Sequence, residues 1–152
     1  MLTLAPVIFL AIGHMKAQVT WNQGVKFIAE SGSGHTLVMD GPEEHGGKNQ
    51  GPRPMELLLL GMGGCASFDV VHILKRQRQQ IETCIAHLQA ERAEVEPKVF
   101  TRIHTHYVVS GKNLIDDKVK RAIELSIEKY CSASIMLGKT AEITYDYEII
   151  EN

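Results

Sequence analysis

The sequence predicts an α+β fold in the order βββ-α-ββ-α-β, with one long central helix buried on all sides. Three observations carry this. The chain starts as strand, turn, strand around Gly24, and Leu57 to Val71 is apolar on nearly every side. In Thr101 to Val109, Thr101, Ile103, Thr105, Tyr107 and Val109 alternate with Arg102, His104, His106 and Val108. Runs of strands separated by single helices point away from a wound parallel sheet.

Each element has a local reason. Lys16 to Trp21 and Val25 to Glu30 flank Asn22-Gln23-Gly24, where Gly24 supplies the positive φ of a hairpin turn. Thr36 to Asp40 is a third short strand, and Gly41 to Pro54 is rich in Gly, Pro, Asn and charge, which makes it a loop. Pro54 suits the first position of a helix, where its missing N–H costs nothing. That helix runs to about Gln79 and turns basic and polar from Lys75. An all-round apolar helix belongs in a core. Its apolar run of about 15 residues, carrying three glycines, is short for a membrane span. About 130 other residues can hardly wrap it, so burial by a second copy, a homodimer, is expected. Ile81 to Ala93 and Val99 to Val109 form the next strands, joined by residues 94–98. Asp116 can cap a helix running to about Tyr130, with Ile115, Val119, Ala122, Ile123, Ser126, Ile127 and Tyr130 as one buried stripe. Ala141 to Ile150 is the last strand.

Composition narrows the function classes. The 152 residues are 44% hydrophobic and 22% charged, ordinary for one globular domain. A net charge of −2 gives no field favouring nucleic acid or an anionic membrane. Three cysteines without a CxxC fit a reducing cytoplasm and exclude the thioredoxin motif and the common zinc spacings. Met1 to Gly13 is almost wholly apolar, too short to span a bilayer and without a basic leader. Residues 1–14 read as an extension from an upstream start or an expression vector, and residues 15–152 as one domain.

Two cysteines are the candidates for chemistry. Cys65 follows Gly61-Met62-Gly63-Gly64, and Cys131 precedes Ser132-Ala133-Ser134. If the fold unites them, this is a thiol redox enzyme, and if not, they are ordinary buried cysteines. Glycines in a helix cost about 1 kcal/mol each against alanine, so packing or function must offset Gly63 and Gly64. Arg53 and Glu56 stand at the mouth of the same helix, and a guanidinium near a thiol favours the thiolate. Cys131 ends its helix, where backbone and sulfur are expected to be accessible. Cys84 reads as structural. Cys65, Asp69 and His72 share one helix face at i, i+4 and i+7, a spacing that could make a Cys/His pair or a partial metal site. His104 and His106 share a polar strand face with Arg102, which explains them without a ligand. No metal or other cofactor is expected, and no HExxH, P-loop, GxGxxG or GxSxG occurs.

The segment Gly51-Pro52-Arg53-Pro54-Met55-Glu56-Leu57 leading through small residues to Cys65, with Cys131-Ser132-Ala133-Ser134 far downstream, resembles the OsmC/Ohr family of osmotically inducible and organic hydroperoxide resistance proteins, and within it the YhfA-like branch. The resemblance covers Met15 to Ile150. It implies an OsmC-like fold in an intertwined cytoplasmic homodimer with active sites at the subunit interface. It also implies reduction of organic hydroperoxides, with Cys65 forming a sulfenic acid, Cys131 resolving it, and a dithiol reductant restoring the pair. The chain departs from the family's peroxidases in three places. Met55 follows the helix-start proline where they carry glutamate, leaving the carboxylate at Glu56. The stretch Thr20 to Ile28 has Lys26 but no arginine. Ser132-Ala133-Ser134 replaces Pro-Tyr-Ser. The first two departures favour an alternative, a non-catalytic module binding a hydrophobic small ligand at the dimer interface.

Overall fold

The computed structural model describes residues 15–152, in two compact units that meet at residues 54 and 55. The N-terminal extension expected at residues 1–14 lies outside the described residues.

The first unit is an antiparallel sheet in the order β1 (Ala17–Gln23), β2 (Lys26–Ser31), β3 (Thr36–Met39). Gly24 has the expected positive φ of 56°, and the register slips between Trp21 and Gln23 to close the turn. The loop after β3 is organised by one carboxylate. Asp40 is buried and accepts the backbone N–H groups of Gly41, Lys48 and Gln50 at 2.9, 2.9 and 3.0 Å. The bonds from Gln50 and Lys48, with help from the Arg53 charge, hold its pKa below the usual carboxylate value.

The second unit begins with α1 (Pro54–Arg76), whose proline stands at the first helical position as expected. It continues through β4 (Gln80–Arg92), β5 (Phe100–Lys112), α2 (Asp116–Leu125), α3 (Ser132–Leu137) and β6 (Glu142–Glu151). The sheet order is β4-β5-β6, with β4 antiparallel and β6 parallel to β5. The helices close over one face. Val70 and Leu74 of α1, Val119 and Ile123 of α2, and Tyr107 and Val109 of β5 share one core, each fully buried. Met62, Phe100 and Ile103 form a second cluster. The alternation in β5 fits its antiparallel partner: Ile103, Thr105, Tyr107 and Val109 are buried, while His104 and His106 are half-exposed.

Four expectations are corrected. α1 is 23 residues long with mean hydropathy 1.8 over its most apolar 18 residues, so length and composition alone would let it cross a bilayer. Only 28% of that window is buried within the chain, and Leu58, Leu60 and Phe68 are exposed, as expected of a helix that a single chain can hardly wrap. The second helix runs to Tyr130 as expected, its last turn widened at residues 126–130, but an unexpected short helix, α3, follows Cys131. Asp116 is the first residue of α2 rather than its cap, and it accepts the Tyr147 hydroxyl at 3.1 Å. The expected stripe holds at Val119, Ala122, Ile123, Ser126 and Ile127, but Ile115 and Tyr130 at its ends are exposed.

Candidate functional site

Cys65 lies midway along α1, one residue beyond Gly63 and Gly64. A Cβ at Gly63 would stand 2.7 Å from a Leu88 methyl, so this glycine lets α1 approach β4 closely. Gly64 faces open space. The two glycines therefore have separate uses, one for packing and one that leaves the surface beside Cys65 bare.

Cys131 reaches the same place from the break between α2 and α3. Residues 126–130 form a widened turn, closed by the Cys131 N–H donating to the Ser126 carbonyl five residues back at 2.7 Å. Such turns commonly mark functional positions. The Ser126 hydroxyl donates to the carbonyl of Ala66 at 2.9 Å, entirely buried. One serine thus fixes the Cys131 backbone and ties it to the residue after Cys65.

The structure brings the two thiols together. Cys65 Sγ, Cys131 Sγ and a carboxylate oxygen of Asp69 all lie within 4.8 Å of one another. Both cysteines are free thiols. Cys131 is fully buried, against the expectation of an accessible sulfur, because α3 folds over it. Its sulfur accepts the Ser134 N–H at 3.4 Å. Burial pushes the Cys131 pKa up, the Ser134 bonds oppose this, and the neighbouring Cys65 adds to it. Cys65 is half-buried, so of the two thiols it is the one a solute reaches.

The surroundings are apolar, with isolated polar atoms. Tyr107 sits beneath the thiols, its hydroxyl buried without a hydrogen-bond partner. Burial first, then the neighbouring Cys84, Cys131 and Asp69, drives its pKa far above the usual phenol value. One Asp69 oxygen is also buried without a partner. Cys84 packs half-buried against the same core, and burial raises its pKa, partly offset by a bond from Ser67. Helical spacing groups Asp69 with Cys65 and His72. That histidine is exposed and stacks on Phe68 with ring centroids 6.0 Å apart, and Cys131 takes its place beside Cys65 and Asp69.

Glu56 stands apart from the thiols along α1. Glu56 is exposed in the first turn of α1 and lines a shallow groove with Leu59, Leu60 and Leu88. Nine residues of helix separate it from Cys65, about 13 Å along the axis. Arg53 belongs to the loop of the first unit, donating to Asn49 at 3.0 Å and to the Gly51 carbonyl at 3.3 Å. On the outer sheet face, His104 and His106 are held by Asp146 at 3.2 and 2.6 Å. They are partnered there by carboxylate, as expected of a polar strand face.

An α+β unit with two thiols meeting between its central helix and the break before α3 defines a cysteine-centred domain. The chain belongs to the OsmC-like protein family, whose family model matches residues 47–146. It is 44% identical to the protein YhfA of Escherichia coli K12 over 136 residues, covering 90% of this chain and 98% of that protein. Among solved structures it resembles a protein of Aquifex aeolicus VF5, with 27% identity and a TM-score of 0.81 over 93% of this chain and 99% of the other. It shares the fold of the organic hydroperoxide resistance protein OhrB of Bacillus subtilis at 18% identity, with a TM-score of 0.62 over 91% of this chain and 100% of the other.

Proposed function

We propose that this protein is a thiol-dependent peroxidase that reduces organic hydroperoxides and serves oxidative-stress defence in the cytoplasm. The observation that carries this reading is the proximity of the Cys65 and Cys131 sulfurs within 4.8 Å. Cys65, as thiolate, attacks the terminal oxygen of the hydroperoxide. The O–O bond breaks, the alkoxide leaves as alcohol after taking a proton, and Cys65 becomes a sulfenic acid. The Cys131 sulfur then attacks the Cys65 sulfur. A disulfide forms, and the hydroxyl leaves as water with the Cys131 proton. A dithiol reductant returns both thiols and leaves as its own disulfide. The order follows from access, since Cys65 is half-buried and Cys131 fully so.

The working unit in this reading is a homodimer. Leu58, Leu60 and Phe68 of α1 are exposed at 47, 61 and 71% in the single chain, apolar surface that a second copy would cover in water. The same copy accounts for Glu56, which its own helix holds about 13 Å from Cys65. Arg53 and Glu56 remain the proposed activating groups. Mixing Cys65→Ser subunits with Glu56→Gln subunits tests this directly. Recovered turnover in the mixture shows that Glu56 acts across the interface, and no recovery removes Glu56 from the mechanism.

The function itself is tested by hydroperoxide consumption in the presence of a dithiol. Cys65→Ser is expected to reduce it to the uncatalysed rate. Unchanged consumption would leave the competing reading, a module that binds a hydrophobic ligand without turnover, and native mass spectrometry would then show that ligand retained.

A further inference from the structure

We propose that Cys65, Asp69 and Cys131 form a binding site for a thiophilic divalent cation, zinc foremost, when both thiols are reduced. The three donor atoms already lie within 4.8 Å of one another. A tetrahedral zinc with Zn–S near 2.3 Å and Zn–O near 2.0 Å places such donors about 3.5 to 3.8 Å apart. Small side-chain rotations therefore close the site. Cys65 and Asp69 are one helical turn apart on α1, the i, i+4 spacing that lets two side chains of one helix share a metal. Cys131 comes from a separate, firmly held element, its backbone fixed by Ser126 and its sulfur by the Ser134 N–H.

A second observation points to a ligand. One Asp69 oxygen is buried with no hydrogen-bond partner. Asp69 itself is half-buried, and a carboxylate oxygen shut off from water is normally paired, hydrogen-bonded or metal-bound. Two thiolates with one carboxylate suit zinc rather than magnesium or calcium, which prefer all-oxygen shells. Three protein donors leave a fourth tetrahedral position for water. The site goes beyond the peroxidase reading and does not depend on it. On binding, the two thiols give up their protons, so one cation enters and two protons leave. A Cys65–Cys131 disulfide would remove both sulfur donors, so the metal-bound and disulfide states exclude each other.

Cobalt(II) is the probe, titrated into fully reduced protein. The expected result is one cobalt per chain, with thiolate-to-cobalt charge-transfer absorption and the intense visible bands of a tetrahedral site, both bleached by one equivalent of zinc. Cys131→Ser should abolish the charge-transfer band. Asp69→Asn should weaken zinc binding at least about tenfold, a loss that even outer-shell substitutions reach. Cys84→Ser should change neither. X-ray absorption of the zinc-loaded natural sequence needs no variant and should find two sulfurs near 2.3 Å. The absence of charge-transfer absorption, its survival in Cys131→Ser, or fewer than two sulfurs on zinc would overturn the proposal. Cobalt bands without hydroperoxide turnover would keep this site and remove the peroxidase, and turnover without them would do the reverse.

Discussion

The two faces of β5 treat ionisable side chains in opposite ways. On the inner face, Tyr107 and the thiols above it lie among packed aliphatic side chains, where burial disfavours charge and the pKa values of Tyr107 and Cys131 rise. On the outer face, one residue away, His106 meets Asp146 at 2.6 Å and Glu148 at 3.7 Å, and it is the charged histidine that is favoured. The same strand thus carries a packed apolar face on one side and a solvated ionic row on the other. The period-two alternation of the sequence separates them. The comparison teaches where substitutions matter. The inner face holds stability and chemistry together, whereas the outer face holds charge that water can replace.

The comparison breaks first at Tyr107 and its neighbour. Tyr107→Ala removes a fully buried ring and should cost about 3 to 5 kcal/mol in denaturant unfolding. His106→Ala, one residue away, should stay within about 0.5 kcal/mol. Similar losses at both positions would mean the outer face also carries the fold. Ser126→Ala comes next, because it removes the buried bond to Ala66. A loss of about 1 kcal/mol is expected, together with slower Cys65–Cys131 disulfide formation, read by thiol titration over time. Tyr107→Phe is smaller still. Its hydroxyl has no partner, so thermal unfolding should change little or shift slightly upward.

The smallest effect is the outer-face pH response. The His106 pKa is raised, chiefly by its bond to Asp146, so its contribution to stability is fully present below the unfolded value of about 6.5. That contribution is lost as pH rises through the raised folded value. Asp146 is lowered by the same bond, so its contribution is present above about 3.9 and is lost as pH falls through its lowered folded value. In an NMR titration, Asp146→Asn should bring the His106 midpoint down towards the ordinary value. An unmoved midpoint would assign the shift to Glu148.

Much of the fold was legible because local chemistry and tertiary placement agree. Gly24 turns the first hairpin, Pro54 opens α1, and β5 alternates as written. The short helix after Cys131 was not legible, since only the closure of Ser132-Ala133-Ser134 over Cys131 makes it helical. Cys65 and Cys131 could be nominated from their settings, but the role of Ser126 could not. A serine in an apolar stripe looks like a small core residue, and its bond to Ala66 joins positions far apart in the chain. Asp69 was visible on the right helix face. Its partner Cys131 lies on another segment, beyond what helical spacing reveals.

The most direct test of the account is peptide mapping after one equivalent of an organic hydroperoxide. A disulfide joining Cys65 to Cys131 within one chain, with Cys84 still a free thiol, is the result predicted. Two free thiols at Cys65 and Cys131 with the hydroperoxide consumed, or a linkage to Cys84, would contradict it.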